Sequence, residues 1–252
     1  MHSVSFSILR HAAWAPGIAT PAAWADWARA PFVVTGDAEP ALRAMPPMLR
    51  RRAAALGKMA LEVAYECMAG ETGVPSVFCS RHGEVSRAVE LLSDLARQSP
   101  LSPTGFGLSV HNASAGLFTI ARKDQANHLA LAAGASSVEH AVIEACTLLA
   151  DGADKVLLVV YDTPLPAVFA QFEDCREQPH AFAWLMVPAT TAGDTIHLSW
   201  QADAAAAAAS AAALPPCAAQ PASLDILQFH LSGAKRLDRV ANRRRWCWMR
   251  HV

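Results

Sequence analysis

Charge is scarce in this sequence. Asp, Glu, Lys and Arg make up 17% of its 252 residues, and 21 Lys+Arg against 22 Asp+Glu leave a formal net charge of −1. That balance excludes a uniformly basic nucleic-acid binder and an acidic solvating chain. A phosphate loop is missing too. There is no GxxxxGK, and Gly105-Phe106-Gly107 meets Val110 where GxGxxG needs its third glycine. The 10 His form no HxxxH or HExxH pair, and the 6 Cys stand at least twelve positions apart, so no zinc pattern is present. A GxSxG nucleophile elbow is absent. No metal or other cofactor is expected. The first residues lack a basic start followed by an apolar stretch, so no signal peptide is expected. The longest soft run, residues 204–214, is too short at about 1.5 Å per residue to cross roughly 30 Å of hydrocarbon. The expected compartment is the cytoplasm, with reduced cysteines acting as small hydrophobes.

What is abundant is apolar. Hydrophobic residues reach 53% and mean hydropathy is +0.20, enough for a substantial core. The surplus points to a surface covered by a partner or an interior holding an apolar ligand. Thr20-Pro21 predicts a helix start, with Thr20 as N-cap. Leu49, Ala53, Leu56, Ala60, Val63 and Cys67 recur at spacings of three and four, which predicts one helix over 46–70. Further helices are predicted at 84–98, from 111 to 120, and at 136–150, the last apolar on most sides. Runs at 75–79, 128–133, 155–161 and 181–187 read as buried strands, the last two as the sort found in parallel sheets covered on both faces. The alternation predicts an α/β layer fold. Residues 202–223 are rich in Ala and Pro and read as a linker or a loosely specified helix. The tail, 224–252, ends in Arg243-Arg244-Arg245-Trp246-Cys247-Trp248. Alternation there puts both tryptophans on one side of an extended segment, where they are expected to cover the helix at 136–150 or neighbouring sheet.

Two residue groups could carry chemistry on their own. Cys79-Ser80-Arg81-His82-Gly83 places a thiol, a hydroxyl and an imidazole together, although catalytic partners converge in space rather than in sequence. Arg50-Arg51-Arg52 reads as a solvated face, or as a contact for a partner or phosphopantetheine.

A third constellation is more specific. Asn112-x-x-x-Gly116 precedes Ala133-Gly134-Ala135-Ser136-Ser137, which opens a helix, and Asp151-Gly152 precedes the strand at 156–160. This spacing resembles the N-terminal half of a beta-ketoacyl synthase, a thiolase-fold condensing enzyme. In that family the nucleophilic cysteine opens the buried helix, where the helix N-terminus stabilises a thiolate. The resemblance implies a partial thiolase-like α/β fold, a layered mixed sheet with helices on both faces. It divides the chain into a synthase-like half at 1–190 and a linker with covering segment at 191–252.

Two departures follow. The nucleophile's position is Ala135, and the second half with its two assisting histidines has no counterpart after residue 188. No catalytic residue is therefore assigned. Within the family, Ser80-Arg81-His82-Gly83, Ser102-Pro103-Thr104 and Ser109-Val110-His111-Asn112-Ala113 resemble short chain-length-factor-like proteins of aryl polyene and other type II polyketide pathways. Such proteins imply a non-catalytic subunit that pairs with a complete synthase as a heterodimer, shapes its acyl tunnel and meets an acyl carrier protein bearing phosphopantetheine. By the same resemblance, Gly105, Phe106, Leu108, His111, Asn112, Leu129, Leu131 and Ala135 are the tunnel and interface candidates. The alternatives are an acyl hydrolase or acyltransferase using Cys79, His82, His111 or His140, and a carrier-docking protein using the arginine clusters.

Overall fold

The computed structural model describes residues 2–190, 194–203 and 219–251. The run at 204–214, most of the Ala/Pro-rich stretch and Cys217 lie outside them. One mixed sheet organises the rest. Its strands are β1 (His2–Trp14), β2 (Ser76–Cys79), β3 (His128–Leu131), β4 (Val156–Asp162), β5 (His180–Pro188), β6 (Thr195–Ala202), β7 (Arg236–Ala241) and β8 (Arg244–His251). They lie in the order β3-β2-β4-β5-β1-β6-β8-β7. Only β3, β2 and β4 are mutually parallel; every other pairing is antiparallel.

The helices are α1 (Pro21–Arg29), α2 (Pro47–Arg50), α3 (Ala55–Met68), α4 (Val85–Ala96), α5 (Pro103–Gly107), α6 (Ala113–Arg122), α7 (Ser137–Ala150) and α8 (Ala222–Ser232). β4 and β5 are buried along nearly their whole length because helices cover both faces. The alternation along β4 sends Leu158 and Val160 to one face with Phe182, Trp184, α7 and α8. Leu157, Val159 and Tyr161 face α3 and α6 with Ala181, Ala183 and Leu185.

Several sequence expectations need correction. The helix predicted over 46–70 is two helices, α2 and α3. Ala54 is extended between them, and Arg52 and Ala53 bond back to Leu49 and Arg50 as a turn. Pro46 and Pro47 start α2, and the chain becomes extended only after the three arginines, at Ala54. The run at 181–187 belongs to β5, which is antiparallel to β4 rather than parallel. The strand at 128–133 stops at Leu131. No helix is predicted between 98 and 111, yet α5 lies there, and its N-cap Ser102 accepts a hydrogen bond from Gly105 N.

No strand is predicted over the first fourteen residues, yet β1 lies inside the sheet. Val4, Phe6 and Ile8 alternate with Ser3, Ser5 and Ser7, and a register shift between Ile8 and Arg10 then breaks the alternation. The Thr20 cap is present: its Oγ1 accepts from Ala23 N at 3.2 Å. The end of the tail joins the sheet as β7 and β8 and touches α7 at its first turn. Trp246 and Trp248 are fully buried, and Trp246 meets His140 of α7 edge-to-face at 5.2 Å.

His230 of α8 sits in this core against Trp184 and against His11 of β1, with ring centroids 5.3 and 4.8 Å away. Burial, then the neighbouring His11 and Arg250, lower its pKa to about 3. The unfolded chain therefore takes up a proton near pH 6.5 that the native chain refuses until about pH 3. This group's contribution is lost as pH falls through that window, by roughly 3 kcal/mol between pH 6.5 and 4. Urea unfolding across that range is expected to show His230→Leu losing clearly less stability on acidification than the native sequence. Equal losses in the two chains would refute it.

Candidate functional site

The parallel strands β2 and β4 end side by side, and α7 begins in front of them. The carboxyl ends of parallel strands facing a helix N-terminus are where open α/β sheets bind ligands. A cavity of about 540 Å³ lies at this place. Its apolar lining comes from Cys79, Ala135, Val138 and Val160, and its polar lining includes Arg81, His82, Asp162 and His180. Residues of α8 and β7 complete the wall, among them Ser223 and Arg239.

Ala135 stands in a single 3-10 turn, Gly134–Ser136, that leads into α7. The C-terminal segment grips this turn. Asn242 Nδ2 donates to Ala133 O at 2.8 Å and to Ser136 Oγ at 2.6 Å. Arg239 donates to Ala135 O at 3.3 Å and pairs with Glu139, which is fully buried in the first turn of α7. Burial raises the Glu139 pKa, and the Arg239 guanidinium opposes that rise.

The turn after β2 organises the opposite wall. Ser80 Oγ donates to Asp162 Oδ1 at 2.9 Å, and Arg81 N donates to the same oxygen at 2.8 Å. Gly83 N closes the turn on Ser80 Oγ at 2.8 Å. Arg81 binds Asp174 through two nitrogens. His82 Nε2 donates to Glu177 Oε1 at 2.7 Å, and Glu177 Oε2 accepts from Leu165 N at 2.6 Å. These pairs strap the segment 163–179 across the cavity. Asp162 has its pKa raised by burial, with His180 and the Ser80 hydrogen bond opposing the rise.

Cys79 and His82 both line the cavity, and no hydrogen bond joins them among the described residues. The Cys79 thiol is buried, and desolvation pushes its pKa well above the ordinary range, so it holds its proton at neutral pH. His140 shares Ser136 Oγ and Ser136 O at the start of α7. Arg50 holds the carbonyls of Ala41 and Leu42, while Arg51 and Arg52 are exposed.

Of the candidate interface residues, Ala135 faces the cavity, Leu129 and Leu131 lie on the edge strand β3, and Gly105 and Phe106 lie in α5, beside α4. His111 meets β3: its Nε2 donates to Leu131 O at 3.2 Å. Asn112 is the N-cap of α6 and makes no side-chain capping bond. Gly105 and Phe106 lie in α5, where Phe106 is 67% exposed. Leu108 instead packs against the α3–α6 core. Leu129 is exposed on the edge strand, whereas Leu131, two residues on, packs against the core on the α7 side.

Sequence reasoning missed Asp162, Asp174, Glu177, His180, Ser223, Arg239 and Asn242 as wall residues. Asp162 carried a readable signal, an acid ending an apolar strand. The others are brought in from segments remote in sequence.

Gly83 has φ +60, and a Cβ there would lie 2.5 Å from His111 Nδ1. Gly83→Ala is expected to cost about 2 kcal/mol in urea unfolding, from backbone strain and overpacking together. Adding His111→Ala should return the overpacking part, so the two losses fail to add. Simple additivity would show that the contact is not tight.

The comparisons with known proteins agree with this architecture. The family model described as the beta-ketoacyl synthase N-terminal domain matches residues 24–249. No curated protein matches the chain. A structure of the ketosynthase ApeO in complex with its chain length factor ApeC, from Xenorhabdus doucetiae, has 25% identity and a TM-score of 0.82, covering 98% of this chain and 99% of that one. The ishigamide ketosynthase/chain length factor follows at 16% identity and a TM-score of 0.72, with 99% of each chain covered. The ketosynthase of module 6 of the bacillaene synthase from Bacillus subtilis 168 aligns with 80% of this chain but only 41% of its own, at 11% identity and a TM-score of 0.58. The fold is thus the mixed α/β, thiolase-like one, and the chain belongs to the beta-ketoacyl synthase N-terminal domain family.

Proposed function

We propose that the chain is a chain length factor, a subunit without condensing activity that pairs with a complete ketosynthase and shapes its acyl tunnel. The observation that carries this reading is Ala135. It stands at the N-terminal end of α7, where a thiol would be stabilised by the helix, and a methyl group cannot form a thioester. The length pattern of the comparisons supports it. A chain from a ketosynthase–chain length factor structure is covered end to end, and a modular ketosynthase less than halfway. No helix among the described residues is long and apolar enough to cross a membrane, which is compatible with a cytoplasmic complex. The reading keeps 1–190 as the synthase-like half and 191–252 as the segment that covers it.

The partner surface in this reading is the β3 edge with the segment 105–112. An unpaired sheet edge is a liability that pairing with another chain removes. Ile120 of α6, which packs against β3, and Leu129 of β3 itself are exposed apolar residues, as is Phe106 of α5 in the segment 105–112. Phe106 is the gate candidate because it projects outward, while Leu108 anchors the segment beneath it. An acyl carrier protein delivers the thioester to the synthase, in polyene, polyketide or fatty-acid-like biosynthesis.

Co-expression with a ketosynthase tests the pairing. Leu129→Arg is expected to weaken co-purification at least ~100-fold, because a desolvated unpaired charge costs several kcal/mol. Phe106→Ala should leave the complex intact and lengthen its product. Normal assembly of Leu129→Arg would refute the interface, and an unchanged product would refute the gate. Ala135→Cys is expected not to confer condensation on the isolated chain, since the assisting histidines are missing. Carbon–carbon bond formation from acyl and malonyl thioesters, followed by mass spectrometry, would overturn that expectation.

A further inference from the structure

We propose that Ser223 is a nucleophile in the cavity in front of α7, with His180 as its general base, and that the pair cleaves short acyl esters or thioesters. Ser223 lies in the first turn of α8, and His180 opens β5. Both line the cavity. The Ser223 Oγ and His180 Nε2 atoms are 2.7 Å apart, and His180 Nδ1 lies 2.8 Å from Gln178 O. A carbonyl only accepts, so Nδ1 carries the proton, and Nε2 of the neutral ring accepts from the Ser223 hydroxyl. Gln178 is itself fixed, because its Oε1 accepts from Val34 N at 2.7 Å. The base is therefore held in one tautomer by a third group, the arrangement that activates a serine.

Three further features suit the step. Desolvation keeps the His180 pKa below its ordinary value, so the ring is neutral and able to accept. Asp162 is the cross-strand partner of His180, and its charge stabilises the imidazolium that forms. The first bonds of α8 run from Leu224 and Asp225 to Pro221 O. The earlier N–H groups of Ala222 and Ser223 precede them, at the helix end that favours an oxyanion. The cavity is of small-ligand size, and Ala135, Val138, Val160 and Val240 give it an apolar side against which a short acyl chain can lie.

In the first step Ser223 Oγ adds to the carbonyl carbon as its proton passes to His180 Nε2. The carbon–sulfur or carbon–oxygen bond then breaks, and the leaving thiolate or alkoxide takes that proton. Water next adds to the acyl carbon, giving a proton to His180. The bond to Ser223 breaks, its oxygen recovers the proton, and a carboxylic acid leaves.

The test uses the full chain alone. Treatment with a fluorophosphonate is expected to add one phosphonyl group, mapped by peptide mass spectrometry to Ser223. Hydrolysis of 4-nitrophenyl acetate and of S-acetyl-N-acetylcysteamine is expected to fall at least ~100-fold in Ser223→Ala and in His180→Gln. Turnover of the thioester assigns a thioester substrate; turnover of the ester alone assigns an oxygen ester. Labelling and hydrolysis are read on the isolated native chain and co-purification with a synthase is read separately, so this proposal and the pairing fail separately. An unlabelled native chain, labelling at another residue, or hydrolysis unchanged in both variants overturns the proposal. Where a variant melts more than about 10 °C lower, peptide mapping of the native chain decides alone.

Discussion

One carboxylate, Asp162, fixes the geometry of everything around the end of the parallel strands. A single oxygen of it receives both the Ser80 hydroxyl and the Arg81 amide. That double acceptance bends the chain sharply after β2 and leaves Arg81, His82 and Gly83 pointing to separate tasks. Arg81 and His82 reach forward to Asp174 and Glu177 and hold the segment 163–179 over the cavity. Gly83 yields the space that lets His111 reach the carbonyl of Leu131. Hydrogen bonds to a charged acceptor are about twice as strong as neutral ones. Removing this carboxylate would also orphan two buried donors. One interaction thus sets both the cavity wall and the edge of the sheet.

The start of α7 shows how a buried helix end is held in place by groups from a distant part of the chain. A helix N-terminus presents unpaired N–H groups and partial positive charge. Here Glu139 supplies an acid in the first turn, and Ser137 Oγ accepts from Ala133 N at 2.9 Å. Arg239 then pairs with Glu139, and Asn242 ties the preceding turn. Buried ion pairs add little net stability because desolvation offsets their attraction, but breaking one is costly. Their effect is to define where β7 and β8 sit. Trp246 and Trp248 supply the apolar contact that keeps them there.

The elements that were legible in the sequence are those whose signal is local. The apolar runs of β4 and β5 and the broad apolar surface of α7 needed only a window of a dozen residues. Thr20 marked a helix start in the same way, because a cap acts within three residues; the same signal at Ser102 was overlooked. β1 escaped although Ser3 to Ile8 alternate cleanly, because the register shift between Ile8 and Arg10 and the alanines beyond it cut the pattern short. β7 and β8 escaped as a paired hairpin because Arg and Asp recur through them, and such polarity reads as a tail until a facing layer gives its other side something to bury. The site was legible only in part. Ala135 and the Ser80–Gly83 turn stood out as motifs, whereas the partners of that turn are 81 to 95 positions away, beyond any spacing rule.

The cavity itself carries a physical implication. A pocket beside a fully packed core could be filled by larger apolar side chains at modest cost, since cores tolerate repacking when volume is conserved. Instead its wall holds His180 and Asp162 facing each other across β4 and β5, two groups whose pKa values burial drives in opposite directions, each toward its neutral form. Keeping such groups around open space costs stability. The cost is offset locally by Ser80, Gln178 and Ser223, each of which satisfies one of their atoms. Those bonds orient the polar atoms rather than merely bury them, and an oriented acceptor beside a hydroxyl is the arrangement in which a proton can move. The edge strand β3 presents a different surface, an open backbone edge with His128 and the exposed Leu129. In the proposed reading one end serves association and the other a small ligand, and the Ser80–Gly83 turn makes each depend on the same fold.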